Sequence, residues 1–166
     1  MLKQLDENDL SLIREWRNSE KVRRVMFTDH IISYAEHLCW WENIKKDKTK
    51  QCFMYYFQGR KAGVVCYTGL GGTSLSWGFY LSNQLETKKI QLQVWKNLEE
   101  EALEYGFSCL NADKIVARVF EFNYPVIKMH QRFGFKIVAE EEKEKDQKIQ
   151  KVIVMSLKQT ELKNVE

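Results

Sequence analysis

Two strand-like segments joined by a short turn constrain the fold of this chain more than any other feature of its sequence. Residues 51–57 and 62–67 are rich in aromatic and β-branched side chains, which favour β-strands. The intervening residues 58–61 are typical of a hairpin turn. Gly71-Gly72 then turns the chain into a third strand-like segment, Ser74–Leu81. The sequence therefore predicts a three-stranded meander.

Two amphipathic helices are predicted before this meander. The second has a clear start, because Ser33 is followed three residues later by Glu36. That spacing allows a capping box, in which each side chain satisfies a free backbone amide of the first turn. This helix is expected to run to about Lys46. The first helix is expected after Asn8, with apolar residues at helical spacing. Its apolar positions are Leu10, Ile13 and Trp16.

A long helix, a strand and a shorter helix are predicted next. The long helix ends near Phe107, and Lys114–Phe120 alternates as a half-buried strand does. Pro125 suits the first turn of the shorter helix, because its missing N–H costs nothing there. Gly134 suits the end of that helix, where a positive φ is common. The apolar stripe of the long helix consists of Leu92, Trp95, Leu98, Ala102 and Tyr105.

The C-terminal segment predicts two further strands. One starts at Phe135, a charged loop follows over residues 140–147, and the last strand covers residues 149–157. No linker, repeat or low-complexity block divides the sequence. The sequence therefore predicts one α+β domain over residues 1–166, with a mixed sheet flanked by helices.

The charge pattern argues against a nucleic-acid-binding protein. The net charge is +3, from 26 basic and 23 acidic residues that are mixed along the chain. Nucleic-acid-binding domains concentrate basic residues on one face or stripe. The N-terminus lacks the apolar core of a signal peptide, and no segment approaches the roughly 20 apolar residues of a membrane span. A cytoplasmic protein without a nucleic-acid or membrane partner is expected.

The cysteine spacing argues against a metal site. Cys39, Cys52, Cys66 and Cys109 lie far apart, without a Cys-x-x-Cys pair or a histidine at zinc-finger spacing. In a reducing compartment, such residues are expected to be small buried thiols.

The element order and one C-terminal pattern resemble the GNAT acetyltransferases. Asn123, His130 and Phe133-Gly134-Phe135 occur in the order of the family pattern, with His130 where the family usually has tyrosine. The resemblance implies the GNAT fold, in which a mixed, mostly antiparallel sheet is splayed at the cofactor site. It also implies that residues 74–135 bind acetyl-CoA as co-substrate.

The N-terminal third resembles a GNAT subgroup that acetylates amino groups on nucleotide-linked amino sugars, such as UDP-linked 4-amino sugars. The residues that carry this resemblance are Trp16-Arg17-Asn18, Met26, Ile31, Glu36-His37 and Trp40. It implies that the acceptor is bound by Arg17, His37 and Trp40, with Thr68 as a further candidate. A surface ion pair for Arg17 and simple packing for His37 are the alternatives.

The sequence departs from the family in the loop that holds the coenzyme pyrophosphate. The family pattern is Arg/Gln-x-x-Gly-x-Gly/Ala, and both glycines are absent from residues 86–91. Amides at a helix N-terminus still favour phosphate, and lysine side chains add positive charge. The expected contacts are Lys88, Lys89, Ile90 and Gln91.

The resemblance also implies roles in acetyl transfer. The thioester carbonyl is expected to meet backbone amides around Phe79, Tyr80 and Leu81, where Gly78 permits a bulge. His130 can protonate the leaving thiolate, because imidazolium is a ready acid near neutral pH. Asn123 is expected to cap a helix, to contact the coenzyme, or both.

No general base is identified, because Ser74–Leu81 contains neither Asp nor Glu. The expected function is acetyl transfer to a primary amine, and the expected acceptor is a nucleotide sugar. A homodimer is left open. Acetylation of a protein N-terminus or a small amine, and a GNAT domain without catalysis, are the alternatives.

Overall fold

The computed structural model describes residues 1–165, which form one mixed sheet with helices on both faces. The strands are β1 (Leu2–Gln4), β2 (Lys50–Phe57), β3 (Arg60–Thr68), β4 (Ser74–Leu81), β5 (Lys114–Phe120), β6 (Lys136–Lys145) and β7 (Lys148–Lys158). The α-helices are α1 (Leu10–Asn18), α2 (Glu20–Arg23), α3 (Tyr34–Lys46), α4 (Lys88–Ser108) and α5 (Tyr124–Phe133). Short 3-10 turns cover Glu7–Asp9 and Gln159–Glu161.

The sheet has the strand order β1-β2-β3-β4-β5-β7-β6. Every neighbouring pair is antiparallel except β4 and β5, which run parallel. The parallel ladder joins only Ser74–Ser76 to residues 114–116, and beyond Ser76 the two strands diverge. The predicted α+β fold with a splayed, mostly antiparallel sheet is therefore confirmed.

The expected bulge at Gly78 is not present. The β3–β4 register runs without a shift from Thr68↔Ser76 to Gly63↔Leu81, and Gly78 lies opposite Cys66. The irregularity in the meander lies instead between β2 and β3, at Tyr55. The sheet splays because β4 loses β5 as a partner, while its pairing with β3 stays regular.

Each face of the sheet is covered by its own pair of helices. One core packs α4 and α5 against the face that includes Leu75, Trp77 and Ile115. The other core packs α1 and α3 against the face that includes Met54 and Val64. Side chains alternate between the faces along each strand, so successive residues of β4 contribute to both cores. No helix within residues 1–165 is both long and apolar enough to cross a membrane.

The predicted helix ends agree well with the structure. The Ser33 hydroxyl accepts a hydrogen bond from the Glu36 amide at 3.2 Å, and the Glu36 carboxylate accepts one from the Ser33 amide at 2.8 Å. These bonds, and one with His30, lower the pKa of Glu36 to about 2. Asn123 occupies the N-cap position of α5, but its side chain makes no capping bond. Its predicted side-chain capping role is therefore wrong, and the side chain is left available.

The charged segment 140–147 is not a loop, in contrast to the prediction. β6 continues to Lys145, and a tight turn at Asp146 and Gln147 joins it to β7. Both turn residues have positive φ, 51° and 60°. β6 is an edge strand whose residues are almost all exposed. An exposed edge strand does not need alternating apolar residues. Its charged sequence was therefore predicted to be a loop.

The cysteine prediction was wrong in two respects. Cys52 and Cys66 form a disulfide across β2 and β3, with their Cα atoms 4.1 Å apart. Cys39 and Cys109 are free but exposed. The register places Cys52 directly opposite Cys66, and the side chains of such a pair lie close together. This proximity depends on strand pairing, which the spacing of cysteines in the sequence does not reveal.

Substitution of Gly134 tests how tightly α5 is terminated. Gly134 has φ 106°, and a Cβ there would overlap the carbonyl oxygen of Glu161. We expect Gly134→Ala to lower the free energy of unfolding by more than about 3 kcal/mol, since strain and overlap add. Gly59→Ala is the matched control, because Gly59 has φ 78° with open space around it. It should cost only about 1–2 kcal/mol. Equal losses in urea titrations would show that the overlap is relieved at no cost.

Candidate active site

The divergence of β4 and β5 opens a cavity of about 760 Å³. Its walls come from both sides of the gap, with α4 and α5 on one side of the sheet and α2 with the following residues on the other. The predicted coenzyme residues that line it are Phe79, Tyr80, Leu81, Lys88, Gln91, Asn123 and His130. Lys89 and Ile90 do not line it. Most of the predicted coenzyme residues are thus brought together by the tertiary structure.

The free edge of β4 carries backbone amides that face the gap. The Ser82 amide donates to the Ala62 carbonyl at 2.8 Å, so this amide points toward β3. Amides alternate in direction along a strand. The amides of Phe79 and Leu81 therefore point away from β3 into the gap, whereas that of Tyr80 points toward β3. Two amides on a splayed edge can bind a polarised carbonyl oxygen.

The N-terminus of α4 forms one end of the cavity. The Thr87 hydroxyl caps the helix by accepting from the Ile90 amide at 3.2 Å. This bond occupies an amide that was predicted to meet the pyrophosphate. The helix dipole still favours an anion at this end. Lys21 reaches across from α2 to Gln91, with 2.7 Å between Nζ and Oε1, so it connects the two sides of the cavity mouth.

His130 is buried in the cavity wall. Its Nδ1 is hydrogen-bonded to the Glu99 carboxylate. The ring centroid lies 5.5 Å from that of Trp77, 6.3 Å from that of Phe79 and 4.9 Å from that of Phe135. An imidazole held in this way is oriented by one polar contact and an aromatic surround. Its placement beside the cavity is compatible with the predicted role as an acid.

Glu99 was not identified from the sequence. It is fully buried on α4, and its second oxygen accepts a hydrogen bond from Trp95 Nε1 at 3.0 Å. The signal was available, because Glu99 lies four residues after Trp95 and three before Ala102, on the apolar stripe of the helix. A carboxylate on such a stripe requires a partner, and here that partner comes from α5.

The four predicted acceptor residues do not line this cavity. Arg17 is buried, and its Nη2 donates to the carbonyl and hydroxyl of Thr28 at 2.7 and 2.6 Å. Burial lowers the pKa of Arg17. The guanidinium thus holds the segment after α2 in place. Because Arg17 is buried, the alternative of a surface ion pair is wrong. Arg17 lies near Tyr80, which does line the cavity.

His37, Trp40 and Thr68 also lie away from the gap. The rings of His37 and Trp40 stack with centroids 5.1 Å apart in the α1–α3 layer, and burial lowers the pKa of His37. Thr68 is exposed at the end of β3, opposite Ser76. The sequence analysis placed these residues at most on the correct side of the sheet. It did not predict which side chains reach the gap, because that depends on how each helix is rotated.

The cavity wall contains other residues, which the sequence analysis did not single out, in place of the predicted acceptor residues. The second half of the cavity is lined by Lys21, Val22, Val25, Met26 and Phe27, with Arg118 from β5. Only Met26 belonged to the predicted pattern. Of the apolar residues, only Val22 lies on α2, and Val25 and Met26 follow the end of that helix at Arg23, so no helical period marked these residues in the sequence.

The ionisable side chains of the cavity wall are basic. Lys21, Lys88 and Arg118 line it together with His130, and the lining residues that the structure describes include no carboxylate. Arg118 Nε lies 3.2 Å from Glu141 Oε2 at an exposed position, so the positive charge of Arg118 is partly compensated. The field inside the cavity therefore favours anionic ligands.

Known proteins share this architecture. The acetyltransferase (GNAT) domain family matches residues 2–154. The acetyltransferase PseH of Campylobacter jejuni subsp. jejuni serotype O:2 is 28% identical over 138 residues, with 83% of each chain covered. C. jejuni PseH in complex with acetyl coenzyme A has a TM-score of 0.72 at 23% identity, covering 96% of this chain and 98% of that one.

A second solved structure is also similar. Spermidine N-acetyltransferase from Vibrio cholerae, in complex with CoA and spermine, has a TM-score of 0.85 at 21% identity, with 97% of this chain and 96% of that one covered. At this identity the likeness shows a common fold. Because the family match spans nearly the whole chain, the protein belongs to the GNAT acetyltransferase family and is an acetyl-CoA-dependent N-acetyltransferase.

Proposed function

We propose that this enzyme transfers the acetyl group to the primary amine of a nucleotide-linked amino sugar. The basic cavity wall is the observation that carries the proposal, since Lys21, Lys88 and Arg118 face the gap without a lining carboxylate among the described residues. Acetyl-CoA and a nucleotide sugar are both anionic through their phosphates. One cation, Lys88, lies at the coenzyme end, and Lys21 and Arg118 remain for the acceptor.

The same charges disfavour a polyamine acceptor. A polyamine carries several positive charges at neutral pH, and a site for it requires acidic side chains. Lys21 and Arg118 would repel such a ligand in a partly desolvated cavity. The high structural similarity to a spermidine N-acetyltransferase therefore concerns the scaffold. The N-terminal resemblance to amino-sugar acetyltransferases agrees with the charge argument.

The reaction follows from three groups in the gap. The amides of Phe79 and Leu81 polarise the thioester carbonyl, which the neutral amine attacks. The tetrahedral intermediate collapses as its C–S bond breaks, and the thiolate receives a proton from His130 Nε2. The amine releases its own proton to solvent, which also reprotonates the imidazole. The backbone amides stabilise the charge on the carbonyl oxygen, and His130 supplies the proton, so each contributes separately to the rate.

The coenzyme end of the cavity can be tested with neighbouring lysines. Lys88 lines the cavity, whereas Lys89 does not. We expect Lys88→Ala to weaken acetyl-CoA binding about two- to fivefold, from the loss of ~0.3–1 kcal/mol at the helix end. The loss should shrink as salt rises. Lys89→Ala is the matched control, measured by the same calorimetric titration. Equal effects, or none from Lys88→Ala, would place the pyrophosphate elsewhere.

The acceptor class can be tested by competition between substrates. We expect a higher kcat/KM for a UDP-linked amino sugar than for spermidine. Lys21→Ala should raise the KM of the sugar about tenfold, which corresponds to ~1.4 kcal/mol, while the KM of acetyl-CoA stays nearly constant. Lys148→Ala removes an exposed positive charge at the start of β7 and serves as the control. A preference of the parent enzyme for spermidine would contradict the proposal. Failure of Lys21→Ala to gain spermidine activity would also contradict it.

The role of His130 can be tested with a substitution that keeps a polar side chain of similar size in the cavity wall. We expect His130→Gln to lower kcat about 10²–10⁴-fold, because an amide retains a donor for Glu99 but cannot protonate a thiolate. Acetyl-CoA affinity and melting temperature should change little. His130→Ala is less suitable, since it leaves a buried carboxylate without its partner. An unchanged kcat in His130→Gln would assign the imidazole to packing.

A further inference from the structure

The pair of Glu99 and His130 is the most unusual polar feature of the core. Glu99 is 0% exposed, and His130 is 2% exposed. A carboxylate without partners in such surroundings is strongly disfavoured, so burial of Glu99 requires compensating donors. Neither residue contributes to an exposed surface. A purely stabilising role is a poor explanation, because apolar residues of similar size often stabilise a core as well as a buried ion pair does.

We propose that Glu99 is a positioning residue that holds the Nδ1–H of His130 and thereby presents Nε2 to the reacting thioester. This inference rests on the proposed function, in which His130 is the acid. Glu99 touches neither substrate in this scheme, because it lies behind the imidazole and acts through it.

The contacts of Glu99 suit an ionised carboxylate, which only accepts hydrogen bonds. Indole Nε1 can only donate, so the 3.0 Å contact from Trp95 requires Oε2 to be an acceptor. The other oxygen, Oε1, faces His130 Nδ1. In the proposed arrangement Glu99 is ionised, both of its oxygens accept, and the shared proton lies on Nδ1. Within residues 1–165, Nε2 has no hydrogen-bond partner, and His130 lines the cavity.

The scaffold holds this relay in place. Trp95 and Glu99 are four residues apart on α4, so they lie on the same face of one rigid helix. His130 comes from the last turn of α5. Around its ring, β4 contributes Trp77 and Phe79, and the chain after α5 contributes Phe135. Glu99 is the titratable group in this surround, which otherwise consists of aromatic rings.

The arrangement suits a proton donor through the whole reaction. When Nε2 gives its proton to the leaving sulfur, the neutral ring retains Nδ1–H and its bond to Glu99. The ring therefore stays in the same orientation until solvent returns a proton to Nε2. A carboxylate behind an imidazole provides this combination in other enzymes of unrelated fold.

The test compares Glu99→Gln with Glu104→Gln. Both remove one negative charge from α4, but the Glu104 side chain is exposed. We expect Glu99→Gln to lower kcat at least about tenfold, as part of the contribution of an acid catalyst. The KM of acetyl-CoA should be nearly unchanged. Glu104→Gln should match the parent in each respect.

A spectroscopic measurement keeps the inference testable independently of turnover. The proton between Nδ1 and Glu99 should give a downfield proton NMR resonance in the parent and in Glu104→Gln, and it should be lost in Glu99→Gln. In a His130→Gln background, Glu99→Gln should lower kcat much less than it does alone, since the two residues act as a unit. Melting curves establish that each variant is folded.

The outcomes separate the two proposals. If the parent acetylates the amino sugar and Glu99→Gln keeps the parent kcat, the positioning role of Glu99 is overturned. A lowered kcat that persists undiminished in the His130→Gln background has the same meaning, because the effect then does not act through the imidazole. If the parent acetylates none of the amines tested, the proposed function fails, and the imidazole spectrum still decides whether Glu99 holds Nδ1–H.

Discussion

The short parallel ladder between β4 and β5 is the constraint on which the rest of the site depends. It joins three residue pairs and then ends, while β4 stays paired with β3 along its whole length. One edge of β4 is therefore regular and the other is open. The open edge leaves the amides of Phe79 and Leu81 unpaired in the gap. Unpaired amides inside a protein are costly unless a ligand satisfies them, so the splay creates both a cavity and a demand for an acceptor atom.

The gap also connects the two layers of the molecule. α4 and α5 cover one face of the sheet, and α1 and α3 cover the other. A complete sheet would separate these layers, but the divergence lets one cavity reach from the start of α4 to α2. Coenzyme and acceptor can therefore approach from opposite sides and meet at the free edge of β4. Basic residues line this path, with Lys88 at the start of α4 and Lys21 reaching across the cavity mouth from α2 to Gln91.

Similarity in fold and similarity in chemistry diverge in this protein. The higher structural similarity is to a spermidine N-acetyltransferase, whereas the sequence match described above is to PseH. Fold similarity follows the strand order and helix packing, which many acceptors can share. We propose that a few positively charged side chains on α2 and β5 select the acceptor. Under this proposal, charge in the cavity distinguishes acceptor classes that share the scaffold.

The sequence by itself determined most of the local structure. The Ser33–Glu36 capping box, the meander, the proline start of α5 and the positive φ of Gly134 follow from neighbouring residues, because each depends on hydrogen bonds or backbone geometry within a few positions. The pattern of Asn123, His130 and Gly134 also indicated the family. The charged second half of edge strand β6 and the short helix α2 were not predicted, since neither shows a regular apolar period.

Only the tertiary structure decided what faces the gap. Arg17 is on the expected element, but the rotation of α1 turns it toward Thr28, and His37 stacks on Trp40 of its own helix away from the gap. The Glu99–His130 pair spans 31 positions of sequence, and the Cys52–Cys66 bridge depends on strand register. Such contacts form because separate elements pack at one rotation and one register. Local periodicity fixes an element and its buried face, but packing between elements fixes which side chains meet.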